Sequence, residues 1–353
     1  MDKTLNVVVK QIEADKPFFV DVPVKINIWI REECQRKQFE VIKQARPSIL
    51  FVTSDGGRNE KEWEAILNNR KIYDEEIDWN CTVYYQYMSE NQGLYAMGRK
   101  RLALIWSVVD RCIFLEDDII PSVSFFAYCA ELLEKYKDDT RIETICGMNH
   151  LGVCEDVTSD YFFSRQGSIW GTATWKRVHD ERGDFSYGED PYVMKLLKQR
   201  TKHNPTFMKK IEAYSKSELH EGHVAGGEFW IEFGMYAQNR LQIVPKYNMI
   251  NNVGFGDSSE HARGQQYFNS DIRKLFNMKT YEYEMPLKHP KYVIPDVEYE
   301  KKRNAMLDYN DKWAAFKHRV ETHFLRIKYD GLFGWIFKTL KRKLKKKTIR
   351  YEK

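Results

Sequence analysis

Three consecutive carboxylates, Glu116, Asp117 and Asp118, stand between an apolar run and a proline in "RCIFLEDDIIP". Carboxylate oxygens are the ligands that Mg²⁺ and Mn²⁺ prefer, and proteins often hold these ions through one or two carboxylates together with substrate phosphates. Such a triplet suits a metal that bridges a diphosphate, with the remaining carboxylates facing a ribose or base. The same triplet is also typical of a solvated acidic turn, so its position in the fold must decide between the two.

The carboxylates directly follow a predicted strand. Strands are predicted over 24–30, 48–54, 81–87 and 111–116, and amphipathic helices over 32–45, 60–73 and 98–109. Strands that alternate with helices of 10–15 residues predict an α/β fold with a largely parallel sheet. In such sheets, ligands bind beyond the carboxyl ends of the strands, which is where the triplet is predicted to lie.

Other polar groups follow the neighbouring strands. Arg31 comes after the first strand, and the segment "SDGGRN", which begins with Ser54, comes after the second. Because parallel strands end at one edge of the sheet, these groups are predicted to converge on one rim. Outside this alternation, the apolar runs "LNVVV" and "PFFVDV" near the N-terminus predict a small two-stranded ribbon, and residues 262–330 read as a packing and covering segment.

Charge is distributed unevenly along the chain. The net charge of +5 includes +8 from residues 338–353, which leaves the rest of the chain at −3. A mildly acidic body argues against a nucleic-acid-binding function, and the basic segment argues for a local anionic partner. Six cysteines without a CxxC pair exclude the usual zinc spacing, and neither a signal-peptide core nor an apolar run long enough to span a bilayer is recognisable.

The basic segment also has an apolar face. Apolar residues recur at spacings of three and four, at Leu332, Phe333, Ile336, Phe337, Leu340 and Leu344, and lysines and arginines occupy most other positions. Trp335 adds an interfacial anchor. This pattern over residues 331–353 predicts a basic amphipathic helix on an anionic membrane surface. The alternatives are a helix docked on the protein's own core and a disordered tail that binds nucleic acid.

Four segments in the same order resemble a known family. They are "SDGGRN", "FLEDDIIPSVSFFAYCAELLEKYKDD", "SIWGTATWKR" and "IVPKYNMINNVGFGDSSEHA". The second resembles the DxD-type motif of GT-A glycosyltransferases, and the set is most similar to bacterial nucleotide-diphospho-sugar transferases and distantly to N-acetylglucosaminyltransferase I. The resemblance covers roughly residues 24–262. It implies a GT-A (Rossmann-like) fold with a mixed, mainly parallel sheet flanked by helices, to which the basic C-terminal helix is added.

The resemblance also implies a domain organisation. Residues 1–290 would form the catalytic domain, with a nucleotide-binding half at about 24–125 and an acceptor half at about 126–290. Residues 291–330 would form a C-terminal covering segment, and 331–353 the membrane-surface tail.

Roles follow from the resemblance residue by residue. Asp118 would coordinate Mn²⁺ or Mg²⁺, with His261 as a second ligand or a diphosphate contact. The nucleotide-sugar donor would be bound by Arg31, Asp55, Gly56, Arg99, Glu116, Asp117 and Trp170. Within that set Arg99, or its neighbour Lys100, would reach the diphosphate and Trp170 would line a sugar wall. Trp175 is interpreted as a core residue.

Glu228 is the candidate catalytic base. In similar families an aspartate stands seventeen residues before the proline of the "IVP" strand, and here that position, counted from Pro245, is Glu228. Glu replaces Asp, so this chain departs from the family pattern and the reach of the base is one methylene longer. An inverting transfer needs such a carboxylate to deprotonate the acceptor hydroxyl. Glu232, one helical turn along, is the rival base, and a third interpretation makes both solvated surface groups.

The resulting hypothesis is a metal-dependent, inverting glycosyltransferase. It would move a sugar from a nucleotide diphosphate, with UDP favoured, to a glycan or lipid-linked glycan in the synthesis of bacterial cell-surface polysaccharide or lipopolysaccharide. It would be cytoplasmic and peripheral to the inner face of the plasma membrane, and would bind no nucleic acid. The alternatives are a nucleotidyltransferase acting on sugar phosphates and a non-catalytic, membrane-associated glycan-binding scaffold.

Overall fold

A computed structural model describes residues 7–202, 204–217, 219–220, 223–255, 265–307 and 311–351. For residues 219–220, 223–224, 332–333 and 335–351 it describes the backbone alone.

The N-terminal half alternates strands and helices as the pattern predicts. Its elements are β1 Val7–Ile12, β2 Val20–Ile28, α1 Glu32–Ala45, β3 Pro47–Ser54, α2 Glu60–Glu75, β4 Cys81–Tyr87, α3 Leu94–Val108 and β5 Arg111–Leu115. These elements are short and joined by tight connections, which places each strand's carboxyl end next to the start of a loop or helix.

The remaining elements are less regular. They are β6 Ile119–Pro121, α4 Ser124–Lys135, β7 Ile142–Cys146, β8 Tyr161–Ser164, β9 Thr172–Trp175, α5 Lys176–His179, α6 Pro191–Arg200, α7 Pro205–Tyr214, β10 Leu219–His220, β11 His223–Val224, α8 Gly227–Ala237, β12 Leu241–Pro245, β13 Ile250–Asn252, α9 Ser270–Arg273, α10 Val297–Met306 and α11 Lys312–Tyr351.

Nine of the described strands form one large sheet, in the order β1-β4-β3-β2-β5-β9-β7-β12-β8. The pairs β4/β3, β3/β2, β2/β5 and β7/β12 are parallel, whereas β1, β9 and β8 run against their neighbours. The prediction of an α/β fold with a mixed, mainly parallel sheet flanked by helices is therefore confirmed.

The strand order contains a topological switch point. From β2 the chain moves to β3 and then β4 on one side, and it returns to place β5 on the other side of β2. Connections that leave two adjacent parallel strands in opposite directions open a crevice at the carboxyl ends of those strands, and open α/β sheets bind ligands there. The carboxylate triplet follows β5, and Arg31 follows β2.

The N-terminal prediction of a two-stranded ribbon is wrong. β1 pairs antiparallel with β4 at the edge of the large sheet, from Val7 opposite Gln86 to Ile12 opposite Cys81, and the run "PFFVDV" leads into β2. A local ribbon would bury little apolar surface, whereas pairing with β4 extends a sheet that already has a core. Trp175 is buried, as predicted, and its indole N–H donates to Leu133 O at 3.0 Å.

Chain contacts divide the protein into two compact units. Unit 1 comprises residues 1–253 and 277–303, and contains the large sheet. Unit 2 comprises residues 254–276 and 304–353, and contains α9 and α11. The predicted boundaries at 290 and 330 concern functional segments and stay a prediction. No described helix has the length and apolar character needed to cross a membrane.

Candidate active site

Glu116, the first carboxylate after β5, is held by side chains of the neighbouring strand β2. Asn27 Nδ2 donates to Glu116 Oε2 at 2.5 Å, and Lys25 Nζ lies 3.4 Å from Glu116 Oε1. The Glu116 side chain is about half exposed. Its partial desolvation would raise its pKa, but the Lys25 ammonium and the Arg101 guanidinium outweigh that effect and hold the pKa below its usual value. The site therefore keeps this carboxylate ionised.

Lys25 is a buried cation that the sequence reasoning missed. It is only 1% exposed, and its ammonium also lies 3.4 Å from Leu115 O. Burial lowers the pKa of Lys25 to about 8, against the opposing effect of Glu116. The available signal was a lysine in the middle of the apolar run "VPVKINI", because a charge inside a buried parallel strand needs a partner.

Arg31 joins the other two carboxylates. Its Nη1 lies 2.9 Å from Asp118 Oδ2 and 3.3 Å from Asp117 Oδ2, and all three side chains are largely buried. Burial, with smaller contributions from Asp118 and Glu116, raises the pKa of Asp117 to about 7 in spite of Arg31. Burial also raises the pKa of Asp118, again opposed by Arg31. Arg31 and the triplet converge on one rim, as predicted, and the predicted contact of Arg31 with a nucleotide stays a prediction.

Gln38 of α1 fixes the turn that carries the triplet. This residue is fully buried, and its Nε2 donates to Glu116 O at 2.8 Å and to Ile119 O at 2.6 Å. The two backbone carbonyls on either side of the aspartates are thus bound by one amide, which orients the intervening side chains.

Asp55 orders the loop between β4 and α3. Its carboxylate accepts backbone N–H groups from Gly56 at 2.8 Å, Gln92 at 2.8 Å and Gly93 at 3.0 Å. A Cβ added at Gly56 would lie 2.3 Å from the carbonyl carbon of Glu90, so only glycine allows the two loops to meet. The predicted contacts of Asp55 and Gly56 with a nucleotide stay predictions, and the structure gives both a role in shaping the rim.

The basic residue that α3 contributes to the carboxylates is Arg101. Its Nη1 donates to Asn27 Oδ1 at 2.7 Å, and Asn27 also binds Glu116. Arg99, the predicted diphosphate contact, is exposed on the same helix. Two positions along a helix differ by about 200° in direction, so the residues cannot share a face. Burial lowers the pKa of Arg101, while Glu116, Asp55 and Asp117 oppose that shift.

Trp170 approaches the same edge from β9. This strand pairs antiparallel with β5, and Thr172 lies opposite Phe114, so the chain before Thr172 extends beyond β5 in the direction of the triplet. Gly171, with a φ of 60°, turns the chain there, and a Cβ would lie 2.3 Å from Ile250 Cδ1. The half-buried Trp170 donates its backbone N–H to Ser168 Oγ at 3.1 Å. Its predicted contact with sugar is untested.

Glu228 lies exposed in the first turn of α8. The helix leads directly into the amino end of β12 and packs along β7, where a Cβ added at Gly234 would lie 2.8 Å from Glu143 Oε2. Its N-terminus therefore points to the carboxyl edge of the sheet. A Cβ at Gly226 would lie 3.8 Å from Tyr95 Cε1 in the first turn of α3. Helix α3 begins next to Gly93, which binds Asp55, so the α8 N-terminus borders the same rim.

Glu232 lies one turn further along α8 and is half-buried. Asn204 Nδ2 donates to its Oε1 at 2.8 Å. Burial raises the pKa of Glu232 to about 7, against nearby Arg303 and Lys210, and Glu228 adds a smaller upward contribution. The two glutamates therefore differ in kind: Glu228 is open to solvent at the rim, and Glu232 is a shielded carboxyl that gains a proton near neutral pH.

The oxygen-rich triplet fits a divalent cation that draws further ligands from a substrate. Asp117 Oδ2 is buried and accepts no hydrogen bond, and it lies beside Asp118 in an ion pair with Arg31 Nη1, 3.3 Å away. No three His, Cys, Asp or Glu side chains among the described residues converge in a metal-binding arrangement by themselves. A site of one or two carboxylates completed by phosphate oxygens is typical of Mg²⁺. His261, the second predicted ligand, lies outside the described residues.

The fold and the rim define an α/β protein with an acidic, cation-lined crevice at the switch point of its sheet. No protein-family model matches the chain, and no curated protein matches it. Among solved structures, the chain is similar to the glycosyltransferase GlyE of Streptococcus pneumoniae TIGR4, at a TM-score of 0.26 and 10% identity. That similarity covers 85% of this chain and 63% of the other, so the chain matches less than two thirds of GlyE.

Proposed function

We propose that the protein is a glycosyltransferase that takes its sugar from a nucleoside diphosphate, with UDP as the favoured nucleotide. The observation that carries the proposal is the position of Glu116, Asp117 and Asp118 at the carboxyl end of β5, facing Arg31 across the switch point. Open α/β sheets bind nucleotides in this crevice. The alternating carboxylate and guanidinium groups suit a ligand that has both hydroxyl donors and phosphate acceptors.

The donor would lie across the crevice. Glu116, kept ionised by Lys25 and Asn27, is placed to accept hydrogen bonds from ribose hydroxyls. Arg31 and Arg101 provide positive charge for the diphosphate. Asp118 would hold a Mn²⁺ or Mg²⁺ ion, whose chemistry is to neutralise the charge that develops on the departing nucleoside diphosphate, and Asp117 beside it would face the nucleotide.

Glu228 would act as the base of an inverting transfer. Its carboxylate takes the proton of the acceptor hydroxyl while that oxygen attacks the anomeric carbon. The bond between the anomeric carbon and the diphosphate oxygen breaks in the same step, and the electron pair leaves with the nucleoside diphosphate. The acceptor would enter beside the N-terminus of α8, where Glu228 is exposed and Gly226 gives close access to the chain. Glu232 is the second candidate base because its pKa of about 7 suits proton removal at neutral pH.

The acceptor proposed for this transfer is a glycan or lipid-linked glycan in bacterial cell-surface polysaccharide or lipopolysaccharide synthesis. Residues 331–353 would hold the enzyme at the anionic inner face of the plasma membrane, where such acceptors are extended. Each Lys or Arg close to that surface contributes about 1 kcal/mol to binding.

A donor screen tests the proposal directly. Purified protein is incubated with individual nucleotide sugars and Mn²⁺, and nucleoside diphosphate release is measured with and without EDTA. We expect release from at least one donor. The release should be reduced by Glu228→Gln and unchanged in Glu298→Gln, which replaces an exposed glutamate on α10 and serves as the matched control. Release of pyrophosphate from a nucleoside triphosphate and a sugar phosphate would instead identify a nucleotidyltransferase. Failure to bind any nucleoside diphosphate would favour the non-catalytic scaffold.

A further inference from the structure

Helix α11 carries a row of exposed apolar side chains before the basic segment begins. Trp313 is 75% exposed, Phe316 50%, Val320 37% and Phe324 68%. Their spacings of three, four and four residues place them on one face of the helix. The rings of Trp313 and Phe316 stack, with centroids 5.8 Å apart. Contiguous exposed apolar surface of this kind marks an interaction site in a soluble protein.

The opposite face of the helix is already occupied. Asp330 Oδ1 accepts from Tyr267 Oη at 2.6 Å, and Glu321 Oε1 accepts from the backbone N–H of Ser270 at 2.8 Å. The buried His318 lies 3.0 Å from Asp271 Oδ2. These contacts lie within unit 2 and fix the rotation of α11 about its axis. The aromatic row therefore faces outward because the polar face is bound.

The charges of the same segment favour an anionic partner. Residues 311–330 contain three acidic side chains, at Asp311, Glu321 and Asp330. Each is engaged within the unit: Asp311 accepts from the backbone N–H of Trp313, and the other two bind as described above. Lys312, Lys317, Arg319 and Lys328 are exposed. The outward face thus presents aromatic rings with exposed cations nearby. Glu321 and Asp330 are bound on the inner side, and the exposed Asp311 caps the start of the helix.

We propose that residues 312–328 form a lipid-binding face that lies on an anionic bilayer, with Trp313, Phe316 and Phe324 entering the interface. Trp and Phe rings with flanking lysines and arginines are the composition that binds at the level of the headgroups. From Trp313 to Phe324 the row extends about 17 Å at 1.5 Å per residue. This face extends the proposed membrane association to residues whose side chains the structure describes. The proposal rests on the proposed function only in naming which membrane is bound.

Gly331 separates this face from the basic segment. Its φ of 72° and ψ of 161° are not helical, so α11 changes direction there although both halves are helical. Gly331 is also the first residue of the predicted tail segment 331–353, so the two halves can adapt to one surface independently. The lipid-binding face supplies mainly apolar contact, and the tail supplies mainly charge.

Co-sedimentation with vesicles tests the face in the full-length protein. The vesicles contain phosphatidylcholine alone or with phosphatidylserine, and the test variant carries Trp313→Ser, Phe316→Ser and Phe324→Ser. We expect this variant to bind phosphatidylserine vesicles about tenfold to a hundredfold more weakly than the unchanged protein, because three partly inserted rings are lost. The control variant carries Tyr292→Ser and Ile294→Ser, which removes equally exposed apolar groups (63% and 68%) from unit 1, and should bind as the unchanged protein does.

Further measurements separate the outcomes. Equal thermal unfolding of the test and control variants shows that the serines act at the surface. Trp313→Lys removes one ring and adds a positive charge, so weaker vesicle binding by this variant supports insertion of the ring over electrostatic attraction alone. Unchanged vesicle binding in the triple variant, with binding lost on removal of residues 331–353, overturns the lipid-binding face and leaves the tail proposal standing. A dimer in light scattering that the triple variant converts to a monomer, with vesicle binding unchanged, identifies a second copy as the occupant and also overturns it. Nucleotide binding should be equal in all variants, so the proposed transferase activity is tested separately.

Discussion

Replacing Glu232 with glutamine should change how the free energy of unfolding depends on pH, because Glu232 is shielded from solvent in the folded protein. Burial raises the pKa of Glu232 from 4.5 to about 7, so the folded protein holds a proton that the unfolded chain has released at neutral pH. A carboxyl whose folded pKa lies above its unfolded pKa stabilises the fold fully below the unfolded value, and this contribution is lost as the pH rises through the folded value. The loss of stability from Glu232 therefore develops between about pH 4.5 and pH 7 and is complete above that range.

The size of the effect follows from the shift. A difference of roughly 2.5 pKa units at 1.36 kcal/mol per unit corresponds to about 3 kcal/mol as an upper bound at pH 9. Glutamine keeps the oxygen that accepts from Asn204 Nδ2 and carries no charge. Glu232→Gln should thus exceed the free energy of unfolding of the unchanged protein by less than about 1 kcal/mol at pH 5 and by about 1–3 kcal/mol at pH 9.

Urea unfolding monitored by tryptophan fluorescence at pH 5, 7 and 9 measures this difference. Glu228→Gln is the matched control, because it removes a carboxylate from the same helix at an exposed position. The control should gain only a few tenths of a kcal/mol at any pH, through the smaller repulsion between the two glutamates. Equal stability of Glu232→Gln and the unchanged protein at pH 9 would show that Glu232 is solvated, and would refute the reasoning about its burial.

Three further perturbations test the rim and its chemistry. Glu228→Gln should lower kcat on the order of 10²–10⁴-fold with donor binding retained, measured by initial rates of donor consumption, and an unchanged kcat would remove Glu228 from the chemistry. Gly56→Ala should lower the free energy of unfolding by about 1–3 kcal/mol, because its Cβ meets the backbone of the opposite loop. Gly98→Ala, where a Cβ has open space inside a helix, should be neutral or stabilising in the same urea titration. Arg101→Gln should weaken nucleotide binding in calorimetry about tenfold, and Arg99→Gln should leave it nearly unchanged; the reverse order would show that the diphosphate lies on the exposed side of α3.

Local signals were sufficient for the first helix. The predicted range 32–45 coincides with α1, where Glu32 and Glu33 occupy the first turn and Lys43 the last. The helix ends at Arg46, which adopts a left-handed conformation before Pro47 opens β3. Each of these boundaries depends on residues within a few positions of it, so sequence reasoning could locate them.

The pairing of strands that are distant in the sequence was harder to predict. The run that begins at Val7 has the composition of a strand, but its partner is β4, more than seventy residues away, rather than the nearby run at 17–22. The choice between partners depends on which pairing buries more apolar surface in the finished sheet. A local pattern contains no information about that.

At the site, the types of the residues were easier to predict than the direction in which each side chain points. The triplet and Arg31 were predicted to meet, and the ion pairs between them agree with that prediction. The face of α3 was not predicted, because Arg99 and Arg101 lie in one basic run and only the packed helix decides which of them points to Asn27. Lys25 and Gln38 were missed for the same reason, since buried polar side chains acquire their roles from partners on other elements.

The central claim is that the crevice between β2 and β5 binds a nucleoside diphosphate together with a divalent cation. Isothermal titration of UDP into the protein in Mn²⁺ and in EDTA, repeated with Asp118→Asn, measures it most directly. The account predicts binding in Mn²⁺ that weakens at least about tenfold in EDTA and to a similar extent in Asp118→Asn. Equal affinity with and without the metal in both proteins, or no binding of any nucleoside diphosphate, would contradict it.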